Sequence, residues 1–264
     1  MPILGIDFEK CTICLECIKD CPSDNFSIGE KLNQIDFDSS GCILCGHCIA
    51  VCPNEAIIYE DMRGETLNFR KGEDPSQVIP YNNIHLFFRS RRSVRQYKPE
   101  KIPTEVIEKV IDSMRYAPTG ANMRNVKCLI ISDKKKIKSM SELIVNSHQS
   151  GEIQERFRLL SEKGVDPIFY KAPHVLIFHS KNPWDFINVA IIMTYAMLSA
   201  HSLGLGSCWI GFAQGVLLDN HELRRKTTGI ETYVLGVMTL GYPAVEYHRA
   251  PPRPPLEVTQ MEES

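Results

Sequence analysis

A duplicated cysteine pattern constrains this chain more than any other feature. Between residues 11 and 22 the sequence reads Cys-x2-Cys-x2-Cys-x3-Cys-Pro, and residues 42 to 53 repeat it. Each cysteine of the second run lies 31 residues after its counterpart in the first, which indicates an internal duplication. Three closely spaced thiolates on a tight loop can converge on one site, whereas the fourth, followed by proline, is turned away from it. The two halves are therefore predicted to depend on each other.

This spacing predicts two [4Fe–4S] clusters, each completed by a cysteine from the other run. The predicted ligands of cluster one are Cys11, Cys14, Cys17 and Cys52. The predicted ligands of cluster two are Cys42, Cys45, Cys48 and Cys21. The apolar residues after each proline are expected to cover the clusters, and they are Phe26, Ile28, Ile57 and Ile58. Over residues 1–60 the chain resembles the bacterial two-cluster ferredoxins.

Two other kinds of site compete with this interpretation. Zinc usually takes four ligands in two separated pairs, which two four-membered runs ending in Cys-Pro match poorly. Disulfides need an oxidising compartment, and no export signal precedes the first run. Iron–sulfur clusters are therefore favoured, with zinc second. The two remaining cysteines, Cys128 and Cys208, are predicted to be small packing residues.

The charge is distributed unevenly along the 264 residues. Residues 1–60 hold three basic and ten acidic side chains, a balance of −7, and the remainder has a balance of +5. An acidic head is typical of an electron carrier, and the basic remainder could hold an anionic cofactor. The basic residues form no stripe with interleaved aromatics, which argues against nucleic acid. Polar residues interrupt the most apolar stretch, 184–203, so we expect no membrane span and a soluble, cytoplasmic protein.

Periodicity divides the chain and places its elements. Polar, aperiodic residues 61–82 are predicted to link residues 1–60 to a domain over residues 83–258, which leaves 259–264 as a tail. Asn83 and Thr104 are predicted to cap helices. Further helices are predicted at 134–146, 152–163, 184–203 and 216–226, the last stopped by Gly229, and strands at 126–131, 174–179 and 233–240. Helix 184–203 is apolar nearly all round, so a second copy of the chain is expected to cover it, which predicts a homodimer.

Four short motifs in the larger domain could bind a ligand. Arg91-Arg92-Ser93-x-Arg95 offers three guanidiniums and a hydroxyl suited to a phosphate, although a solvated charge run is the commoner explanation of such a composition. Residues 118–122 and the glycine-rich residues 204–211 could let the backbone approach a flat ligand, or could form ordinary turns. Prolines stiffen the segment that carries Arg249 and Arg253.

In this order the four motifs resemble the FMN-dependent nitroreductase family over residues 83–258. The resemblance implies an α+β fold with a mixed sheet flanked by helices, in an intertwined homodimer with FMN at two interface pockets. It implies that the phosphate, ribityl chain and pyrimidine edge of FMN are held by Arg91, Arg92, Ser93, Arg95 and Arg253, with Arg249 as a helper. It implies contacts from the partner subunit by Pro118, Thr119, Gly120 and Asn122. Main-chain donors near flavin N5 are implied at Trp209, Ile210 and Gly211. It identifies no catalytic acid or base.

Clusters that carry single electrons and a flavin in one chain would make a one-to-two electron converter. The leading hypothesis is an oxidoreductase that takes electrons from reduced ferredoxin, or another low-potential donor, and reduces a small organic acceptor such as a nitroaromatic, quinone or activated alkene. The sequence contains no Gly-x-Gly-x-x-Gly dinucleotide fingerprint, although nitroreductases take NAD(P)H directly over the flavin. Two alternatives remain open: an NAD(P)H-dependent flavin reductase that sends electrons outward through the clusters, and a redox sensor or electron-carrier subunit without a substrate.

Overall fold

The computed structural model describes residues 3–30, 34–60, 64, 66–69, 74–147 and 151–260. They form two compact units, the first of which comprises the residues up to Val78 together with Thr119–Arg124. The second comprises Ile79–Pro118 and the residues from Asn125 onward. The division falls within the predicted linker, of which residues 61–63, 65 and 70–73 lie outside the described residues, as do residues 261–264 of the predicted tail. The sequence did not indicate that Thr119–Arg124 would group with the first unit.

The first unit repeats one small motif twice. Its elements are β1 (Ile3–Ile6), α1 (Glu16–Asp20), β2 (Phe26–Ile28), β3 (Ile35–Phe37), α2 (His47–Val51) and β4 (Ile57–Tyr59). β1 pairs antiparallel with β4, and β2 pairs antiparallel with β3. Each of these ladders joins a strand of the first half to a strand of the second. The hydrogen bonding of the sheets therefore ties the two halves together, as the exchanged cysteines would.

The backbone repeats with the same period as the cysteines. Three pairs of residues 31 positions apart share a left-handed conformation: Ile13 and Leu44 at φ 56° and 55°, Leu15 and Gly46 at 65° and 77°, and Asp24 and Glu55 at 53° and 52°. Bulky residues rarely adopt this conformation, because their Cβ atoms crowd the backbone. Since Ile13 and Leu44 immediately precede Cys14 and Cys45, this strain lies in the loops that place the thiols.

A small apolar core lies between the two halves of the first unit. Its fully or nearly buried members include Ile3, Ile6, Phe26, Ile35, Ala56 and Ile57. Phe26 and Ile57 are thus buried as predicted. Ile28 is 65% exposed and Ile58 is 43% exposed, so the prediction that they cover the clusters is wrong. Side chains alternate along a strand, which turns Ile58 away from the face of Ile57, and Ile28 lies at the end of β2.

The second unit is built on a four-stranded sheet. Its elements are α3 (Tyr81–Ser90), α4 (Thr104–Met114), β5 (Lys127–Ile131), α5 (Lys134–Ser147), α6 (Glu152–Glu162), β6 (His174–Ser180), α7 (Phe186–Ser202), β7 (Gly206–Trp209), α8 (Gly211–Asp219), α9 (His221–Thr228) and β8 (Tyr233–Gly241). The strand order is β5-β6-β8-β7, with antiparallel pairing between neighbours. Ser93 adds a parallel bridge to Ser207 at the β7 edge. The unit has the predicted α+β architecture.

Helices cover both faces of this sheet. Along β6, Val175 and Ile177 pack with residues of α5, α8 and α9, whereas Leu176 and Phe178 pack with residues of α4 and α7. All four side chains are fully buried, which explains why this strand is a continuous apolar run rather than an alternating one. Among the described helices, none is both long enough and apolar enough to cross a membrane.

The long helix α7 is buried along one face within a single chain. The buried face carries Val189, Met193, Ala196 and Ala200, all fully inaccessible. Its other side carries Ile187 and Tyr195, which are 57% and 38% exposed, and Phe186 at the start of the helix is 50% exposed. An apolar helix with one such face uncovered is typical of a surface that another polypeptide covers.

Helix ends differ from the sequence predictions in two ways. The helix predicted at 216–226 is two helices, α8 and α9, separated by Asn220, whose side chain accepts a hydrogen bond from Leu223 N at 2.9 Å. Gly229 ends α9 with φ 72°, as predicted. Prolines precede α3 and α4, so Asn83 lies inside α3, and Thr104 is the first helical residue of α4 rather than its cap.

Replacing Gly236 by alanine tests the packing of β8 on α7. An added Cβ would fall on Met193 Sδ and lie 2.7 Å from Val189 Cγ1, so we expect a loss of about 1–3 kcal/mol from overpacking. Unfolding in urea can be followed by the fluorescence of Trp184 and Trp209, both in the second unit.

Gly215→Ala is the matched control, because its Cβ would meet nothing within 4 Å. As a replacement inside α8 it should stabilise by up to about 1 kcal/mol. Equal unfolding midpoints for the two variants would contradict the close packing of β8 on α7.

Candidate functional site

Two small cavities in the first unit are lined by sulfur. Each takes three cysteines from one run and the fourth from the other. The first cavity is lined by Cys11, Cys14, Cys17 and Cys52, with Ile6, Thr12, Ile13, Leu15, Ile35, Pro53, Asn54, Ala56 and Ile57. The second is lined by Cys21, Cys42, Cys45 and Cys48, with Ile3, Pro22, Ser23, Asn25, Phe26, Ile43, Leu44, Gly46 and His47. The structure thus brings together the two sets of four cysteines that the spacing grouped.

The fourth sulfur of each set accepts a main-chain hydrogen bond. Asn25 N donates to Cys21 Sγ at 3.3 Å, and Ala56 N donates to Cys52 Sγ at 3.2 Å. The buried Asn25 side chain also donates to the carbonyls of Asp38 and Ser40, which ties the two halves together beside the second cavity. Hydrogen bonds of this kind favour the thiolate and tune a cluster held by it. No motif in the sequence marks Asn25, since its counterpart in the repeat is alanine.

The cysteine sets suit a multinuclear site. Burial, together with the neighbouring Cys45, Cys42 and Cys21, raises the pKa of Cys48 to about 11. Burial raises the pKa of Cys17 in the other set. Crowded thiols need a compensating positive charge to ionise together, and bound iron would supply it.

The competing kinds of site fit less well. All ten cysteines are described, and each is a free thiol rather than half of a disulfide. Within the described residues, no three His, Cys, Asp or Glu side chains are grouped closely enough to hold a single metal ion. Four sulfurs around a cavity fit a cubane, which is larger than one ion.

The two other cysteines have different environments. Cys208 is 2% exposed and packs in the core, as predicted. Cys128 is exposed, so the prediction that it is a core residue is wrong for the single chain. The cause is the strand order, which places β5 at an edge of the sheet.

In the second unit, the arginine-rich segment lies against the glycine-rich strand β7. Val94 N donates to Ser207 O at 3.0 Å, and Ser93 bridges to the same residue. A Cβ at Gly206 would lie 2.7 Å from Val94 Cγ2, so only glycine permits this close approach. Two of the four predicted motifs are therefore held side by side, and Gly206 is the residue that allows it.

Positive charge is concentrated at the start of this segment. Burial lowers the pKa of Arg91, and the charges of Arg92 and Arg253 lower it further. Arg92 Nε is buried and finds no hydrogen-bond partner among the described residues. Neighbouring cations and a buried donor without a partner fit an anion such as a phosphate, to which arginine donates in a fixed fork. Arg249 is exposed on the segment that follows β8.

Arg95 lies in a different setting from the other arginines of the segment. Its guanidinium carbon is 6.0 Å from the centre of the Tyr170 ring. The nearby Cys208 sulfur is the largest cause that raises the pKa of Arg95. The arginine run is therefore not a uniform solvated charge run: its members contact different groups.

The predicted main-chain donors at residues 209–211 are not equivalent. Ile210 N donates to Val237 O at 2.8 Å, so this donor belongs to the sheet, and its predicted role toward a ligand is corrected. Gly211 begins α8, where first-turn N–H groups have no partner within the helix. The Trp209 side chain is 36% exposed, and its Nε1 donates to Gln214 Oε1 at 2.6 Å. Gly211 is thus the donor best placed for a ligand.

The segment Thr119–Arg124 contacts the second cysteine run. Asn122 Nδ2 donates to Ile43 O at 2.9 Å and to Leu44 O at 2.7 Å, and Asn122 Oδ1 accepts from Arg124 Nε at 3.0 Å. Arg124 NH2 also donates to Leu44 O, at 3.1 Å. The Asn122 side chain, predicted to contact a flavin, is therefore engaged with the loop between Cys42 and Cys45. Pro118 belongs to the second unit, whereas Thr119, Gly120 and Asn122 belong to the first. Sequence reasoning missed Arg124, which no pattern marked.

Comparison with known proteins agrees with this division. The nitroreductase family model matches residues 88–242, and a 4Fe-4S dicluster domain model matches residues 3–69. A protein of Methanothermobacter thermautotrophicus, provisionally named NADH dehydrogenase/NAD(P)H nitroreductase, is 26% identical over 158 residues, 59% of this chain and 75% of that protein. The FMN reductase [NAD(P)H] of Bacillus subtilis is 23% identical over 186 residues, 69% of this chain and 74% of that protein.

A solved structure shares the fold of the larger unit. The crystal structure of a nitroreductase with bound FMN from Bacteroides fragilis superposes with a TM-score of 0.58 at 23% identity, covering 68% of this chain and 100% of that one. The nitroreductase model alone spans 155 of the 264 residues. The chain therefore belongs to the nitroreductase family and carries a 4Fe-4S dicluster domain ahead of the nitroreductase region.

Proposed function

We propose that this protein is an iron–sulfur flavoprotein oxidoreductase that takes electrons from a low-potential donor such as reduced ferredoxin. It delivers them to a small organic acceptor, for which a nitroaromatic, a quinone or an activated alkene is suitable. When bound, two [4Fe–4S] clusters supply one-electron steps, and FMN supplies both one- and two-electron chemistry. The observation that carries the proposal is the presence of two cysteine-lined cavities and a nitroreductase-family unit in one polypeptide.

The first unit contributes ligands and a dry environment. Cys11, Cys14, Cys17 and Cys52, which line one cavity, would hold one cluster, and Cys42, Cys45, Cys48 and Cys21, which line the other, would hold the second. Buried Ile6, Ile35 and Ile57 line the first cavity, and Ile3 and Phe26 line the second, so apolar side chains limit water at the sulfurs. Low exposure is one of the properties that set the potential of a cluster.

The second unit contributes an anion site that FMN would fill. Arg91, Arg92 and Arg253 would bind its phosphate, because their charges lie close together and Arg92 Nε has no partner among the described residues. Gly211 N–H at the start of α8 would face the flavin ring. The bound FMN of the Bacteroides fragilis nitroreductase supports this choice of cofactor. Roles for Ser93, Arg95, Thr119 and Gly120 rest on the family resemblance.

NAD(P)H is a second candidate for the electron donor. The names of the relatives favour it, since the Bacillus subtilis protein is an FMN reductase that uses NAD(P)H. In that case the first unit would carry electrons outward to an acceptor protein. The acidic balance of residues 1–60 suits a basic protein partner in either direction. Eight thiol ligands suit the reducing cytoplasm.

Mixing with candidate donors tests the direction of flow. The holoprotein is mixed anaerobically with reduced ferredoxin in a stopped-flow instrument. The flavin absorbance should then be bleached in a single turnover. NADH and NADPH are mixed separately, and Cys14→Ser serves as the control because it damages cluster one. If the flavin stays oxidised with ferredoxin but is bleached by NAD(P)H, then NAD(P)H rather than ferredoxin is the electron donor.

Replacing Arg91 tests the anion site. Arg91→Ala should weaken FMN binding about 10- to 150-fold, since a charge-assisted contact contributes about 1.5–3 kcal/mol. The dissociation constant is measured by the quenching of FMN fluorescence on addition of the flavin-free protein. Cys14→Ser is the matched control and should lower the iron content without changing FMN affinity. Loss of both cofactors in both variants would contradict two separate binding units.

We also propose a homodimer, supported by the uncovered apolar face of α7. Ile187→Lys places a charge on that face and should shift the protein from dimer toward monomer, as measured by light scattering during gel filtration. Ser139→Lys, on the exposed side of α5, adds the same charge elsewhere and should leave the dimer intact. A wild-type monomer, or equal dissociation of both variants, would count against this surface.

A further inference from the structure

We propose that Asn122 and Arg124 are positioning residues for the second cysteine run, and that they raise the reduction potential of cluster two. The inference deepens the proposed function, because it takes the two clusters as resident electron carriers. It concerns residues that the family resemblance assigned to a flavin or did not assign at all.

The contacts of this pair converge on one loop. Asn122 donates both amide hydrogens to consecutive carbonyls, those of Ile43 and Leu44, and Arg124 donates a third hydrogen bond to Leu44 O. These carbonyls belong to the two residues between Cys42 and Cys45. The Asn122 oxygen accepts from Arg124 Nε, so the two side chains also fix each other. Three donors and one positive charge therefore act on a loop that joins two ligands of cluster two.

The first cysteine run has no matching arrangement. Thr12 and Ile13 correspond in the repeat to Ile43 and Leu44, and among the described residues no side chain donates to their carbonyls. The nearest equivalent is Asn54, whose neutral amide donates to Lys10 O at 3.1 Å and to Thr12 Oγ1 at 3.3 Å. The two halves of the repeat therefore share their cysteines and backbone conformation, but they differ in the side chains that donate hydrogen bonds to their cysteine loops.

Two other pairs of ionisable side chains lie near the two short helices. Beside the first run, Glu16 accepts from Lys19 Nζ at 2.8 Å, so these opposite charges offset each other. Beside the second, His47 Nδ1 lies 3.5 Å from Asp20 Oδ2. All four side chains are well exposed, where water screens them strongly. Asn122 and Arg124 therefore add a positive charge and three hydrogen bonds to the second run, beside the two that the buried Asn25 side chain makes there.

This difference has a predictable sign. The potential of an iron–sulfur cluster depends on its net charge, its hydrogen bonds and its exposure. Reduction adds a negative charge, which the Arg124 guanidinium stabilises. The donated hydrogen bonds offset the negative ends of the Ile43 and Leu44 carbonyls beside the ligands, so both effects raise the potential of cluster two. Arg124 is exposed, so water screens part of its charge.

The backbone of the segment is held in a strained form that makes these contacts. Ala121, Asn122 and Arg124 have φ values of 47°, 53° and 51°, and Leu44 in the contacted loop has φ 55°. Left-handed conformations at such residues are unfavourable and persist where other interactions hold them. The hydrogen bonds to Ile43 and Leu44 help to hold this segment, together with those inside it from Asn122 N and Arg124 N to Thr119.

A redox titration followed by electron paramagnetic resonance tests the proposal on the anaerobically prepared holoprotein. Cys14→Ala in every sample should convert cluster one to a [3Fe–4S] cluster, which is visible when oxidised, so that the remaining low-potential signal belongs to cluster two. Arg124→Gln and Asn122→Ala should each lower the equilibrium constant for reduction of cluster two about tenfold. For a one-electron couple this corresponds to a reduction potential about 59 mV lower. Arg124→Lys should recover part of the shift, and Asn54→Ala should leave cluster two unchanged.

Unchanged potentials in Arg124→Gln and Asn122→Ala would overturn the proposal, as would equal shifts in both clusters or the same shift in Asn54→Ala. If Asn122→Ala does not assemble cluster two, the Arg124→Gln and Arg124→Lys pair decides alone, because both keep a polar side chain that can donate a hydrogen bond and only the second keeps the charge. The titration uses neither ferredoxin nor an organic acceptor. Suppose ferredoxin does not reduce the flavin, but the variants do lower the potential of cluster two. That pair of results would refute only the proposed electron donor, and the role of Asn122 and Arg124 would stand.

Discussion

The exchange of the fourth cysteine between the two runs is the constraint on which the first unit depends. Cys21 lines the cavity of the second run, and Cys52 lines that of the first. Both strand ladders also join the two halves, and a matched main-chain N–H reaches each exchanged sulfur. Neither half can complete its metal site or its sheets alone. A unit with so small an apolar core gains its order from these shared bonds and from the iron that they hold.

Sequence reasoning succeeded where the determining contacts are local. Cysteine spacing grouped the thiols, and apolar periodicity located most helices and strands of the second unit. It failed mainly where distant residues decide. Cys128 is exposed because strand order makes β5 an edge. The N–H of Ile210 belongs to the sheet because β7 pairs with β8 in one register. Neither outcome can be derived from the neighbouring residues. The break at Asn220 is different, because its cap on α9 is a local contact with Leu223 that the apolar periodicity does not reveal.

The arginines grouped in the second unit lower its stability when no anion is bound. Arg91 and Arg92 are held beside Arg253, and Arg92 Nε is buried without a partner among the described residues. Such an arrangement is unfavourable without an anion, because like charges repel and a buried donor loses its hydrogen bond to water. A phosphate would offset both costs, so ligand binding and folding of this unit are coupled. Gly206 makes the arrangement possible, since any larger residue would push the arginine segment off β7.

Asn122 illustrates the difference between a motif and the role of its residues. The motif places an asparagine in a short left-handed segment, and family resemblance alone assigns that amide to a flavin. In this chain the amide hydrogens are donated to carbonyls about 80 residues earlier, in the 4Fe-4S dicluster domain. An amide nitrogen that donates both its hydrogens has none left for another acceptor. The amide hydrogens of Asn122 are therefore committed to the loop between Cys42 and Cys45, although the residues of the motif match the family pattern.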